Sequence, residues 1–454
     1  MPPSAKNDLT QGPVARTLFL LSAPMMMGVS SSILVQAFEM YFIGQLGTKE
    51  IAAVTFTFPL TMALSSVALG ISIGTSSVIA RIVGARDTES ARKLATHSLI
   101  LVGSLMSLLS FCGWLAINPI FTAMGAQPET IELIQVYLNI VFLSFPFMTV
   151  MMVAGSVMRA NGSANIPGIA MTSASLLNLI LDPILIFGLF GFPRLELAGA
   201  AWALGISRIL TCFVMLYFVR SHDMMNPSRI FEGFVSSCKQ VLHVGVPATA
   251  TQLIGPVSGG IITALLATHG EAVIAGFGIA SRIEAVSVML LFALSGSIGP
   301  FVGQNWGANE KLRVREGVQV AYRFCLLWGL FALAVLWLFG DEIAALVDDN
   351  GAAVRAAAIY LAIVPVSYGA WGVLMMASAS FNALGKPLPS TLLAFMRMFV
   401  IYVPLALLFN HWFGYPGIFT ATAIANCLMA AVAFFWFRRS FFPKTSFETN
   451  SLAT

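Results

Sequence analysis

Charge is what this sequence has least of. Asp, Glu, Lys and Arg make up 10% of its 454 residues while hydrophobic residues make up 58%, and the mean hydropathy is +0.86. A soluble domain carries roughly 25% charged residues, so a water-facing fold is excluded and a lipid bilayer is the natural solvent and partner. Cysteine is scarce and odd in number: Cys112, Cys212, Cys238, Cys325 and Cys427 are far apart, which gives neither a disulfide framework nor a metal-ligand spacing. No Walker A sequence, Gly-rich dinucleotide fingerprint, G-x-S-x-G or His/Cys cluster occurs. We therefore expect no enzyme, no catalytic residues, no metal and no cofactor. Without an ATP-binding module, the energy for any work must come from an ion gradient. The net charge of +4 is spread over many short connections with no dense basic run, so nucleic acid is not an expected partner. The polar stretch over residues 1–13 is not followed by a short apolar segment with a cleavage site, so no removable signal peptide is expected.

What is present is a series of long apolar runs. They lie near 17–43, 52–80, 95–120, 131–158, 167–192, 197–219, 241–268, 273–303, 318–340, 354–383, 389–411 and 416–437. About 20 apolar residues span a bilayer, so the expected fold is an all-α integral membrane protein of twelve transmembrane helices. The links are short and carry helix breakers, for example Gly84-Ala85-Arg86-Asp87, Asn161-Gly162-Ser163 and Gly307-Ala308-Asn309-Glu310. Alternate connections, counted from the N-terminus, hold 19 of the 24 Lys and Arg residues. By the positive-inside rule both termini are expected in the cytoplasm, with the chain multi-pass in the cell inner membrane.

The chain repeats itself. A shift of 223 residues brings Pro24 onto Pro247, Gly47 onto Gly270, Ala52 onto Ala275, Arg92 onto Arg315 and Gly162 onto Gly385. The same shift brings Arg81-x-x-Gly84-Ala85 onto Gln304-x-x-Gly307-Ala308. An even number of helices per half makes this a parallel internal repeat. Two six-helix lobes are expected, residues 1–225 and 226–454.

Acidic residues inside the spans are the sharpest chemical signal. A charged group at the bilayer centre costs about 2.5–3.5 kcal/mol on insertion scales, so such residues usually face a cavity and a partner. Glu39 sits in the first helix and Asp182, followed by Pro183, in the fifth. Asn178 stands four residues before Asp182, hence on the same helix face. Two acids in poorly solvated surroundings can be tuned to exchange a proton near physiological pH, as a proton-coupled carrier requires. Pro24 and Pro247 occupy equivalent places in the first helix of each half, and Pro24 is a hinge candidate. Arg282 and Glu284 are expected as a solvated or paired feature at the outer end of the eighth helix, and Arg208 in the sixth is expected to have a structural partner. At the 223-residue shift Glu39 lands on Ile262 and Asp182 near Val403 to Leu405. The coupling chemistry is therefore expected in the first half alone.

Several stretches taken together resemble the multidrug and toxic compound extrusion (MATE) family. They are Leu9-Thr10-Gln11-Gly12-Pro13, Ala23-Pro24-Met25-Met26, Glu39-Met40-Tyr41-Phe42-Ile43-Gly44, Arg159-Ala160-Asn161-Gly162, Ala198-Gly199-Ala200-Ala201-Trp202-Ala203 and Gly303-Gln304-Asn305-Trp306-Gly307-Ala308. The Asn178-x3-Asp182-Pro183 element resembles the bacterial and archaeal branch that includes the DNA-damage-inducible protein F. The resemblance implies two lobes around a V-shaped cleft, and export of small organic, often cationic and amphipathic, drugs or metabolites in exchange for H⁺ or Na⁺. It implies that Asp182, Asn178 and Glu39 form the cation-sensing and substrate cavity, and that Pro24 is where the first helix bends. The sequence departs from the family pattern at Glu39, where Asp is usual, and at Leu204, where Thr is frequent. The seventh and tenth helices lack the acids that one branch carries. H⁺ is the expected coupling ion, with Na⁺ the alternative, and a monomer is the expected state. The runner-up reading is a flippase for a lipid-linked precursor, disfavoured because the buried charges are acidic and the helices number twelve.

Overall fold

The computed structural model describes residues 8–345 and 351–441. Twelve helices among the described residues are long and apolar enough to cross a membrane. In chain order they are α1 (Val14–Gly44), α2 (Thr48–Gly84), α3 (Thr88–Leu115), α4 (Pro128–Ala160), α5 (Asn165–Phe187), α6 (Glu196–Ser221), α7 (Phe234–Ala267), α8 (Glu271–Gly307), α9 (Lys311–Ala345), α10 (Gly351–Ala383), α11 (Pro387–Phe413) and α12 (Tyr415–Phe441). All the apolar runs read from the sequence are found. Helices are the physical solution because hydrocarbon offers backbone N–H and C=O groups no partner outside the chain. The two chain ends, expected on the cytoplasmic side, lie partly outside the described residues.

The repeat extends to backbone geometry. α2 and α8 are both 37 residues long. Each is preceded by a glycine at positive φ, Gly47 at 155° and Gly270 at 99°. Each is followed by Gly-Ala and a residue in the left-handed region, Arg86 at φ 62° and Asn309 at φ 63°. Asp87 then caps α3, accepting from the Ser90 amide at 3.0 Å. That bond favours the carboxylate and holds the Asp87 pKa below its usual value. Losing an N-cap costs about 1 kcal/mol, so Asp87→Ala is predicted to lower thermal stability modestly. A depressed carboxylate contributes stability above its unfolded pKa and loses it as pH falls through the folded one. The gap between variant and wild type should therefore close in acid, and a melting series against pH checks this.

The described chain forms two compact units. The first is Phe19–Gln252, and the second joins Thr10–Leu18 to the chain from Leu253 onward. The division falls inside α7 rather than in the polar link between α6 and α7. In the first unit α4 is central, packing on α2, α3 and α6, with α5 against α6. In the second unit α10 takes the corresponding place, packing on α8, α9 and α12.

Two spans of the second unit are interrupted. α10 passes through a 3₁₀ turn at Val364–Ser367, which contains Pro365. α11 contains a π-helical segment, Met396–Tyr402, just before Pro404. A proline lacks the N–H that would close the α ladder, and π segments recur at functional sites. The segment carries Arg397. This arginine lies inside the span, as it does inside the apolar run 389–411.

Candidate functional site

α5 is the platform of the first-half site. Its positions 175, 178 and 182 follow helical spacing on one face, and all three side chains are buried. Asp182 is fully buried and Asn178 is 5% exposed. Pro183 interrupts the backbone donor series immediately after the acid.

α1 is brought against this face by small residues. A Cβ built on Gly168 of α5 would lie 2.5 Å from the Pro24 carbonyl oxygen. On α1 itself, Gly28 approaches Met171 so closely that an added Cβ would sit 2.9 Å from the Met171 Cβ. One turn further along, the Ser32 and Ser175 hydroxyls share a hydrogen bond at 3.2 Å. On the other side of α5, Gly199 at the start of α6 abuts the Leu185 carbonyl, with room for no Cβ. These contacts fix α5 between its neighbours.

Glu39 is half-buried on α1. Its hydrogen-bonding neighbour is the Tyr137 hydroxyl from α4, and the Arg208 guanidinium from α6 acts on it electrostatically. Asp182 feels the charge of Glu39, with Asn178 as its polar neighbour. Tyr137, buried at 6% exposure, is within electrostatic reach of Glu39, Asp182 and Arg208 together. Arg208 is itself held in place, donating to Ser144 Oγ at 3.4 Å and lying over the Phe145 ring at 5.5 Å. The sequence-derived residues Glu39, Asn178 and Asp182 are thus gathered in one unit. Pro24 is not among them: it sits at the α1–α5 contact, fifteen residues before Glu39 in the same helix.

The decisive feature is what Asp182 lacks. Neither of its carboxylate oxygens, nor the Asn178 amide nitrogen, has a hydrogen-bond partner, although all are buried. A buried charge without a partner is very unfavourable. Arg208 acts on Glu39, and the groups acting on Asp182 include no cation, which leaves the Asp182 charge to be balanced. The arrangement suits a single bound monovalent cation or proton.

Tyr137 is the member of this cluster that sequence reasoning missed. A signal for it existed: Tyr137-Leu138-x-Ile140-Val141 recurs at the same 223-residue shift as Tyr360-Leu361-x-Ile363-Val364. The second half also corrects the expectation for Glu284. It is not an outer-end feature paired with Arg282. Its Oε2 accepts from the Tyr360 hydroxyl at 2.5 Å and from Tyr368 at 3.2 Å.

Twelve membrane-crossing helices in a repeated architecture, with acids set inside the spans, define a polytopic membrane protein of the transporter class. The MatE family model matches the chain twice, over residues 24–184 and 247–408. Its two matches start at Pro24 and Pro247, the offset read from the sequence. The chain belongs to the MATE family. It is 29% identical to the FAD transporter of Shewanella oneidensis over 98% of this chain and 99% of that one. It is 27% identical to the multidrug export protein MepA of Staphylococcus saprophyticus over 92% of each. The crystal structure of the MATE transporter VcmN of Vibrio cholerae in its bent form superposes with a TM-score of 0.90 at 30% identity, covering 94% of this chain and 97% of that one.

Proposed function

We propose that the protein is a secondary antiporter that exports amphipathic organic compounds, drugs or metabolites, in exchange for protons by alternating access. The observation that carries this reading is Asp182, fully buried with both oxygens unpartnered beside a second acid. A proton satisfies such a carboxylate without requiring a coordination shell. One guanidinium within reach of Glu39 also disfavours Na⁺, because a fixed positive charge repels a cation that must keep its own. The names of its relatives, a FAD transporter and a multidrug export protein, support an organic solute.

In this reading Asp182 and Glu39 exchange the proton, Asn178 orients Asp182, and Tyr137 carries the effect of protonation between α1, α4 and α5. α1 is the moving part. Pro24 removes one backbone bond, and the hydroxyls of Ser30, Ser31 and Ser32 return to the Met26, Met27 and Gly28 carbonyls at 2.7, 2.8 and 2.9 Å. Such back-bonding loosens and bends helices. The soft stretch from Pro24 to Ser32 therefore lies between the start of the helix and Glu39. One charge moved through 100 mV is worth about 2.3 kcal/mol, enough to bias the cycle. The charge bias of the connections supports placement in the inner membrane with both ends cytoplasmic, and the protein acts as a monomer.

The test is reconstitution. In proteoliposomes carrying ethidium or FAD, an imposed pH gradient should drive solute against its own gradient, and a matched Na⁺ gradient should not. Sodium-driven movement without proton-driven movement would overturn the ion assignment.

A further inference from the structure

The second unit holds a polar cluster that the coupling reading leaves unused. It is built around Tyr360 of α10, the residue that the repeat places opposite Tyr137. Each half thus sets a tyrosine of its central helix against an acid within a span, and that acid is within electrostatic reach of an arginine. The charged partners come from different helices: α1 and α6 in the first half, α8 and α11 in the second.

The balance of charge also differs. In the first half Asp182 is unsatisfied. In the second, Glu284 already accepts two phenol hydroxyls on one oxygen. Arg397 is the group left over. It is half-buried in mid-span on the π segment of α11. Glu284 acts on it electrostatically, but the two are not within ion-pair distance, since no described salt bridge joins them. Its described hydrogen bond runs from Nη1 to Asn426 Oδ1 at 3.0 Å. Asn426 is 3% exposed and donates in turn to Ser367 Oγ at 3.1 Å. The guanidinium is therefore held by a rigid backing.

A guanidinium has five N–H donors in a planar fork. Only one is used here in a described bond, and such a fork matches two oxygens of one carboxylate or phosphate. No other mid-span acid of the second half is available to take the remaining donors: Glu271, Glu310 and Glu316 lie at helix ends or near them, as do Asp341 and Glu342. A mid-membrane arginine left with open donors is costly in the absence of an oxyanion.

We propose that Arg397, backed by Asn426, is the anchor for an anionic group, a phosphate or carboxylate, on the transported solute. This deepens the transporter reading and rests on it for the word "transported". The binding site itself does not depend on which ion drives export. Asn426 is a positioning residue.

Riboflavin and flavin mononucleotide differ by one phosphate, so the pair isolates the anchor. Their binding to the purified, full-length protein in detergent is read by flavin fluorescence. Wild type should bind the phosphorylated flavin at least about tenfold tighter, the range of a charge-assisted contact. Arg397→Gln should erase that preference while riboflavin binding stays within about twofold, and Arg397→Lys should retain part of it. Wild-type binding that is equal for the two flavins, or absent, overturns the proposal. So does a variant that weakens both flavins by one factor, since that marks a structural role. Should Arg397→Gln fail to fold, the wild-type preference together with Arg397→Lys decides the matter. Failure of proton-driven export would leave the flavin result untouched, and the reverse holds, so the two readings fail separately.

Discussion

Replacing Asp182 with Asn is predicted to abolish uphill export driven by a proton gradient while leaving solute binding within a few-fold of wild type. Asn keeps the shape and the polar end but cannot exchange a proton. In wild type, one proton exchanged per solute is worth about 1.4 kcal/mol for each unit of pH difference, or tenfold in the concentration ratio that can be sustained. With Asp182→Asn that ratio should fall to one, so that solute equilibrates instead of accumulating. Glu39→Gln is predicted to lower the ratio without abolishing it. Glu39 already has Tyr137 and Arg208 for neighbours, whereas neither oxygen of Asp182 has a hydrogen-bond partner. Accumulation ratios in proteoliposomes across stepped pH gradients separate the two variants. Unchanged uphill transport by Asp182→Asn would remove Asp182 from the coupling role.

Gly168→Val is predicted to destabilise the protein by about 1–3 kcal/mol, the usual penalty for overpacking, and to impair transport as well. An added Cβ at Gly168 would lie 2.5 Å from the Pro24 carbonyl oxygen and 2.6 Å from the Pro24 Cβ. Neither neighbour is the free end of a flexible chain, so α1 and α5 must separate. That separation moves Glu39 away from Asp182, which gives the stability loss a functional counterpart. Gly260→Ala is the control. It lies in α7, where an added Cβ meets nothing within 4 Å. In an exposed helical position Ala is favoured over Gly by roughly 0.5–1 kcal/mol, so that variant should melt at or above wild type. Thermal melts in one detergent give both signs, and a Gly168→Val protein as stable as wild type would show that the helices have slack.

Helices, repeat and acids were legible because each follows from local or periodic pattern. Apolar length announces a span. Gly-Ala followed by Arg86 or Asn309 announces a turn. An acid amid apolar residues announces a need for a partner. Partners across helices leave no such trace. Arg208 was read as needing a structural partner, which proves to be Ser144 and the Phe145 ring, but its proximity to Glu39 is set by how α6 packs on α4. Arg397 falls inside the apolar run 389–411, and nothing in the sequence around it marks which helices it will meet. The π segment before Pro404 keeps the span continuous and puts Arg397 inside it. The expectation that the second half carries no comparable chemistry came from comparing acids position by position. The repeat conserves the tyrosine instead, Tyr137 and Tyr360, and recruits its charged neighbours from different helices.

The central claim is that proton and solute compete through the Glu39–Asp182 site. Linkage requires the effect to be reciprocal: solute binding must expel the proton that the empty transporter holds. Purified protein in weakly buffered detergent, with a pH indicator present, reads this directly. The account predicts that adding saturating solute near neutral pH releases protons in proportion to the protein, and that Asp182→Asn binds solute and releases none. Solute binding by the wild type with no proton release at any pH, or undiminished release by Asp182→Asn, would contradict it.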